Sequence, residues 1–222
     1  MSAQSNSLTI DVVSDVVCPW CYVGKRRLER ALAQETGEPI KVQWRPYQLD
    51  PSIPEGGLER RAYMINKFGD TGRIEAAHER LKALGAEEGI AFAFDKIARA
   101  PNTLDAHRLI RWAFVTGAQD RIVDRLFKLY FEEGRDIGDR ALLIETAGEC
   151  GMDKEIVEKL FAEGADEEEV RAEIAEAQRL GVTGVPFFIF AQRFGVPGAQ
   201  DVEVLAGAIA QARKSLAGIE TA

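Results

Sequence analysis

Long apolar runs are what this chain of 222 residues has least of. The longest, such as 185–191, stop far short of the ~18 residues that a membrane-crossing helix requires, so no membrane partner is expected. Positive charge is also short: 28 Lys and Arg against 36 Asp and Glu leave a formal net charge of −8. That balance offers no basic footprint for nucleic acid. Three cysteines are too few for a disulfide scaffold, and a chain of this length does not need one. The first seven residues carry no Lys or Arg, and Asp11 and Asp15 break the apolar stretch after them, so the pattern of a signal peptide is missing. The expectation is a protein made and kept in the reducing cytoplasm, unless an extension is missing from the chain.

What is there suffices for a core. Hydrophobic residues make up 46% of the chain and charged residues 29%, which argues against wholesale disorder. At ~150 residues per domain the length corresponds to one large domain, or to one carrying a sizeable insertion. Segment 8–13 alternates and is rich in β-branched residues, as a strand requires. Pro19 suits a first helical turn, 22–34 has few breakers, and Gly37 supplies a stop. Segment 40–47 alternates again, which completes a βαβ opening. From 58 to 180 the pattern turns helical, with expected segments 58–68, 73–88, 103–116, 119–132, 139–150, 153–163 and 167–180. Asn102 or Thr103 is expected to cap the third of these. Strand character returns at 186–190 and 194–196, joined by a turn at Gln192-Arg193, and an amphipathic helix follows over 201–216. The fold class is therefore α/β. A domain made of 1–56 and 181–222 would carry an all-helical insertion over 57–180, because long insertions that fold themselves cost little.

Two of the three cysteines stand as Cys18-Pro19-Trp20-Cys21 at the strand-to-helix junction. A thiolate at Cys18 would sit where unpaired backbone N–H groups and the helix dipole favour an anion. Cys21 lies one turn further in, near enough to close a small disulfide ring. Cys18 is then the exposed attacking thiolate and Cys21 the less exposed resolving thiol. Two inert buried cysteines are the bland alternative. A zinc site is the sharper one, but only Cys150, His78 and His107 remain to complete it and no second paired motif exists, so no metal is expected. Trp20 brings bulk and no positive charge, so the couple should be less oxidising than one with histidine at that position. Lys25, Arg26 and Arg27 read as a solvated helix face, and Cys150 as a packed small residue.

The second element is Gly181-Val182-Thr183-Gly184-Val185-Pro186-Phe187. A proline opening a strand after a Gly-rich loop, in this βαβ…ββα order with an upstream CxxC, is expected to follow a cis peptide bond. That turn would bring the Val185 backbone beside the Cys18 sulfur, where an extended peptide or glutathione could hydrogen-bond as an added strand.

The run from Ser14 to Lys25 (SDVVCPWCYVGK), followed by the Val185-Pro186 loop, resembles the DsbA-like thioredoxin-fold family, and within it the FrnE branch. Further matches are Trp44-Arg45-Pro46-Tyr47-Gln48-Leu49, Pro101-Asn102-Thr103 with Ala106-His107-Arg108, and Gly198-Ala199-Gln200. The resemblance covers almost the whole chain. It implies a thioredoxin domain with an inserted helical domain, acting in dithiol–disulfide exchange. Cys18 carries over as nucleophile, Cys21 as resolving thiol, Pro186 as the cis-proline and Val185 as the backbone contact for substrate. Relatives in the wider family are glutathione-dependent isomerases and kappa-class glutathione transferases, with serine in place of Cys18; two cysteines here favour electron exchange. In the glutathione users, the segment matching Gly198-Ala199-Gln200-Asp201 helps hold the tripeptide at a helix N-terminus. A capping role for Asp201 is the competing reading.

The leading expectation is a thiol–disulfide oxidoreductase acting on protein or small-molecule substrates. Pro19, Trp20, Val185, Pro186, Asn102, His107, Gln200 and Asp201 are its candidate substrate contacts. No cofactor is obligatory, and glutathione would enter as a co-substrate. Two alternatives stay open: a glutathione-dependent isomerase or transferase, and a redox-sensitive partner-binding module. The oligomeric state is open, a homodimer included.

Overall fold

Residues 7–69 and 71–218 are described by the computed structural model; residues 1–6 of the polar start, and the last four of the chain, lie outside them. Strand β1 (Thr9–Ser14) is buried along nearly its whole length, as its Ile and Val content demands of a central strand. It pairs in parallel with β2 (Lys41–Pro46), Ile10 opposite Val42 and Val12 opposite Trp44. Helix α1 (Pro19–Leu32) makes the crossover between them. The helix starts at Pro19, with Cys18 as its N-cap, and ends five residues before Gly37, at Leu32.

The chain leaves the sheet after β2. A two-residue strand β3 (Leu58–Glu59) pairs antiparallel with β4 (Arg99–Ala100), a ladder that the helical pattern of 58–68 concealed. Helix α2 (Arg60–Phe68) therefore starts two residues later than its apolar spacing suggests. The Glu59 carboxylate caps it by accepting the Arg61 and Ala62 N–H groups. Helix α3 (Thr71–Glu87) and a single 3-10 turn (Phe94–Lys96) precede β4.

Five helices follow: α4 (Leu104–Val115), α5 (Gln119–Phe131), α6 (Arg140–Glu149), α7 (Lys154–Ala162) and α8 (Glu167–Arg179). Asp139 and Asp153 cap α6 and α7. The cap of α4 comes from Asn102, whose Oδ1 accepts the Leu104 N–H at 3.0 Å, while Thr103 gives no side-chain bond. Helix α4 packs against α5, α6, α8 and β2, so it is buried on several faces at once. Even Arg108 is enclosed there, held by Asp105 and the carbonyls of Ala165 and Leu160.

Strand β5 (Phe187–Phe190) then returns to the sheet antiparallel to β1, with Val12 opposite Phe188, and β6 (Phe194–Pro197) pairs with β5. The sheet order is β2-β1-β5-β6. With Phe190 opposite Phe194 the hairpin loop is Ala191-Gln192-Arg193, one residue longer than the expected Gln192-Arg193 turn: Ala191 and Gln192 have positive φ, 52° and 57°, and Arg193 N–H closes on Phe190 O at 3.0 Å. Positive φ at both central residues is the geometry of a primed turn within that three-residue loop, adopted without the Asn-Gly pair that usually supplies it. Helix α9 (Val202–Leu216) ends the fold against α1. No helix among the described residues is long and apolar enough to cross a membrane.

Candidate active site

Two segments far apart in the chain meet at sulfur. Cys18 occupies the N-cap of α1 in extended conformation, its N–H bonded to Asp15 O at 2.9 Å and its carbonyl accepting from Cys21 N–H at 3.0 Å. Its thiol donates to the Val185 carbonyl at 3.6 Å, across 167 residues of chain. The Val185–Pro186 peptide bond is cis. Helix α1 comes close enough for this because it carries Gly24 here: a Cβ at that position would lie 3.0 Å from Pro186 Cγ and 3.2 Å from Phe188 Cζ.

Cys18 is only 4% exposed, less than the sequence led us to expect of an attacking thiolate. It is nonetheless reachable, because it lines a cleft of about 630 Å³ together with Pro19, Trp20 and Val185. Trp20 stands on the rim, 46% exposed. The opposite wall comes from α2 and α3, with Tyr63, Met64, Phe68 and Ile74 as its apolar surface and Arg60, Lys67 and His78 as its polar one. Cys21 is 1% exposed and turned into the core. Burial pushes its thiol well above the ordinary cysteine range, and contact with the Cys18 thiol adds to this; the Ser14 hydroxyl and the Asp15 backbone oppose it. Both cysteines are free thiols.

The other singled-out residues are more scattered. Asn102 does not line the cleft: its amide is used up by Gln48, Leu104 N–H and the Ile53 carbonyl. His107 is buried on α4 with its Nε2 3.4 Å from Asp15 Oδ1, behind the cleft wall. Gln200 bonds back to Pro197 O, and Asp201, at the N-terminus of α9, pairs with Arg27 at 2.8 Å. Neither lines the cleft, although Gly198 N–H ties their loop to Pro186 O at 2.8 Å. Cys150 is buried at the end of α6, where burial raises its thiol pKa.

Lys25 corrects the solvated-face reading. Its side chain is 1% exposed and its ammonium contacts Glu29, Asp120 (3.2 Å) and Asp124 (3.8 Å). Arg27 is likewise mostly covered, between Glu88 and Asp201. Ser14, Asp15 and Gly24 were missed as site residues. They stand inside or next to the CxxC segment, so proximity was the available signal, but nothing local to the sequence says which way they point.

The family model of the DSBA-like thioredoxin domain matches residues 9–210. Among solved structures, the probable DsbA oxidoreductase of Streptomyces coelicolor is 34% identical, superposes with a TM-score of 0.86, and the match covers 97% of this chain and 92% of that one. A 2-hydroxychromene-2-carboxylate isomerase shares the fold at 17% identity and a TM-score of 0.70, over 96% and 100% of the two chains. The cytosolic disulfide reductase DsbM of Pseudomonas aeruginosa, solved with glutathione, does so at 21% identity and 0.61, over 95% and 98%.

Proposed function

The chain belongs to the DSBA-like thioredoxin domain family, and from that premise we propose that it is a thiol–disulfide oxidoreductase working through Cys18 and Cys21. The observation that carries the reading is the Cys18 sulfur, set at a helix N-terminus, in an open cleft, against the Val185 carbonyl. In the reducing direction the Cys18 thiolate attacks one sulfur of a substrate disulfide. A Cys18–substrate disulfide forms and the other substrate sulfur leaves as thiolate. Cys21 then attacks the Cys18 sulfur, closing the Cys18–Cys21 disulfide and releasing the second substrate thiolate; two electrons and one disulfide have changed hands. Oxidation of a substrate runs the same steps backward. Val185 and Pro186 would align the backbone of a peptide or of glutathione beside Cys18, and Pro19 and Trp20 would frame the approach. Glutathione serves as the natural small thiol partner in a cytoplasmic setting, and no further cofactor is required.

A second reading has support in the cleft itself: a mostly apolar cavity of about 630 Å³ has the dimensions of a small-molecule site. On this fold that suits a glutathione-dependent isomerase. The two readings part at Cys21. Insulin reduction by the wild type, its loss in Cys18→Ser, and accumulation of a mixed disulfide in Cys21→Ala are the expected results. A wild type inert in reduction and in oxidative refolding overturns the oxidoreductase reading, and small-molecule turnover that survives Cys21→Ala favours the isomerase.

A further inference from the structure

The Val185 carbonyl meets Cys18 just before β5 begins at Phe187, so its position depends on what holds the Pro186 segment. Part of that hold comes from the far side of the hairpin. Gly198 N–H donates to Pro186 O at 2.8 Å, which ties the turn at 198–201 to the cis-proline. The turn is stiff in itself. Gly198 takes φ 77°, Gln200 N–H returns to Gly198 O at 2.9 Å, and Gln200 Nε2 reaches Pro197 O at 2.7 Å. From helix α1, Arg27 Nη1 donates to the next carbonyl, Ala199 O, at 2.8 Å and pairs with Asp201 at the same distance.

Arg27 stands on the helix that Cys18 caps, about 13 Å further along its axis at 1.5 Å per residue. Between them lies Gly24, which lets Pro186 approach, three positions before Arg27 and so on the same face. Helix α1 therefore meets the returning segment at Cys18, at Gly24 and at Arg27. The guanidinium has a second support, because its Nε donates to Glu88 Oε1 at 2.8 Å. Glu88 directly follows α3, whose Ile74, His78 and Leu81 line the cleft. The Arg27 side chain is 12% exposed and that of Glu88 4%. Drawing a guanidinium out of water is costly unless its N–H groups are filled, and here two segments far apart in the chain fill them.

We propose that Arg27 is a positioning residue for the exchange reaction. Through Ala199 and Gly198 it holds the Val185–Pro186 segment at the distance from Cys18 that substrate alignment requires, with the base of the α3 wall as its brace. This rests on the oxidoreductase reading above. Arg27 does not line the cleft, so it acts through Pro186 and Val185. Arg30 is the built-in comparison. It pairs with the same Glu88 at 2.9 Å from one turn further along α1, is 59% exposed, and makes no hydrogen bond to the 198–201 turn among the described residues.

Dithiobis(nitrobenzoate) reads the first step: the Cys18 thiolate attacks its disulfide, a mixed disulfide forms, and one coloured thionitrobenzoate leaves. Arg27→Lys keeps the charge beside Glu88 but lacks the planar fork that reaches Ala199 as well. Its first burst should be roughly tenfold slower, given that 1 Å can cost about a hundredfold. Attack on glutathione disulfide should lose roughly tenfold more, because a peptide backbone also depends on the Val185 carbonyl. Arg30→Gln should keep the wild-type rate with both. Guanidinium ion at millimolar levels, added to Arg27→Ala, should restore part of the burst, an effect that mere loosening of the fold does not produce. Folded Arg27 variants at wild-type rates, or an equal loss in Arg30→Gln, overturn the positioning role alone. So do equal losses with both disulfides that guanidinium leaves unrescued. A wild type lacking the first burst overturns the oxidoreductase reading and the positioning role with it.

Discussion

Gly24→Ala tests whether the close approach of α1 to the Pro186 loop holds the site together. The added methyl would lie 3.0 Å from Pro186 Cγ and 3.2 Å from Phe188 Cζ, tighter than ordinary contact, and neither neighbour is the loose end of a flexible side chain. Overpacking of this kind costs about 1–3 kcal/mol. Alanine in a helix interior recovers about 1 kcal/mol over glycine. The expected net loss is therefore about 1 kcal/mol, or a fall in Tm of roughly 2–4 °C for a chain of this size. Activity should suffer more than stability, because relief of the contact moves the loop that meets Cys18 at 3.6 Å. A displacement of a few tenths of an ångström predicts roughly a tenfold slower first burst with dithiobis(nitrobenzoate), given that 1 Å can cost about a hundredfold. Gly207→Ala on α9 is the control, since nothing lies within 4 Å of its Cβ and the same propensity gain stands unopposed. Thermal unfolding and stopped-flow absorbance read both quantities. If Gly24→Ala matches the control in stability and the wild type in rate, the close-approach argument is wrong.

Two other expectations concern charge. Burial pushes the Glu88 carboxyl up, but hydrogen bonds from Arg27 and Arg30 outweigh it and hold the pKa below the ordinary glutamate value. A depressed carboxyl stabilises the fold above its unfolded value of about 4.3 and ceases to do so as pH falls through the folded one. Glu88→Gln should thus cost about 1–3 kcal/mol at neutral pH, and the gap in Tm should close in acid; a gap that is the same at both ends contradicts the assignment. The reduction potential of the Cys18–Cys21 couple, measured in glutathione buffers, should lie below ~−120 mV, the strongly oxidising end of the range, because Trp20 brings no positive charge to the thiolate. A value at that end would remove Trp20 from the explanation.

Much of the scaffold was readable because its signals are local. Alternation marked β1 and β2, Gly and Asp punctuation marked the helices, and the Pro19 position marked the start of α1. The errors have local causes too. The β3–β4 ladder joins residues about 40 positions apart, so Leu58 and Glu59 read as the first turn of α2. The positive φ of Ala191 and Gln192 is imposed by the strands on either side, not by the residues themselves. Lys25 looked solvated because a basic triplet on a helix usually is. Its carboxylate partners Asp120 and Asp124 lie on α5, about a hundred residues away.

The amino-acid order alone determined the chemistry on offer: two thiols at i and i+3, a proline at the helix start, and a Val-Pro turn before a returning strand. Spacing of that sort sets what can react, since it is written in covalent neighbours and backbone propensity. Which groups serve the reaction was decided only when the chain closed. The contact of Cys18 with Val185, the depth of Cys21, and the hold of Arg27 on Ala199 all depend on segments far apart in sequence. Their burial and distance come from packing, which no single segment encodes.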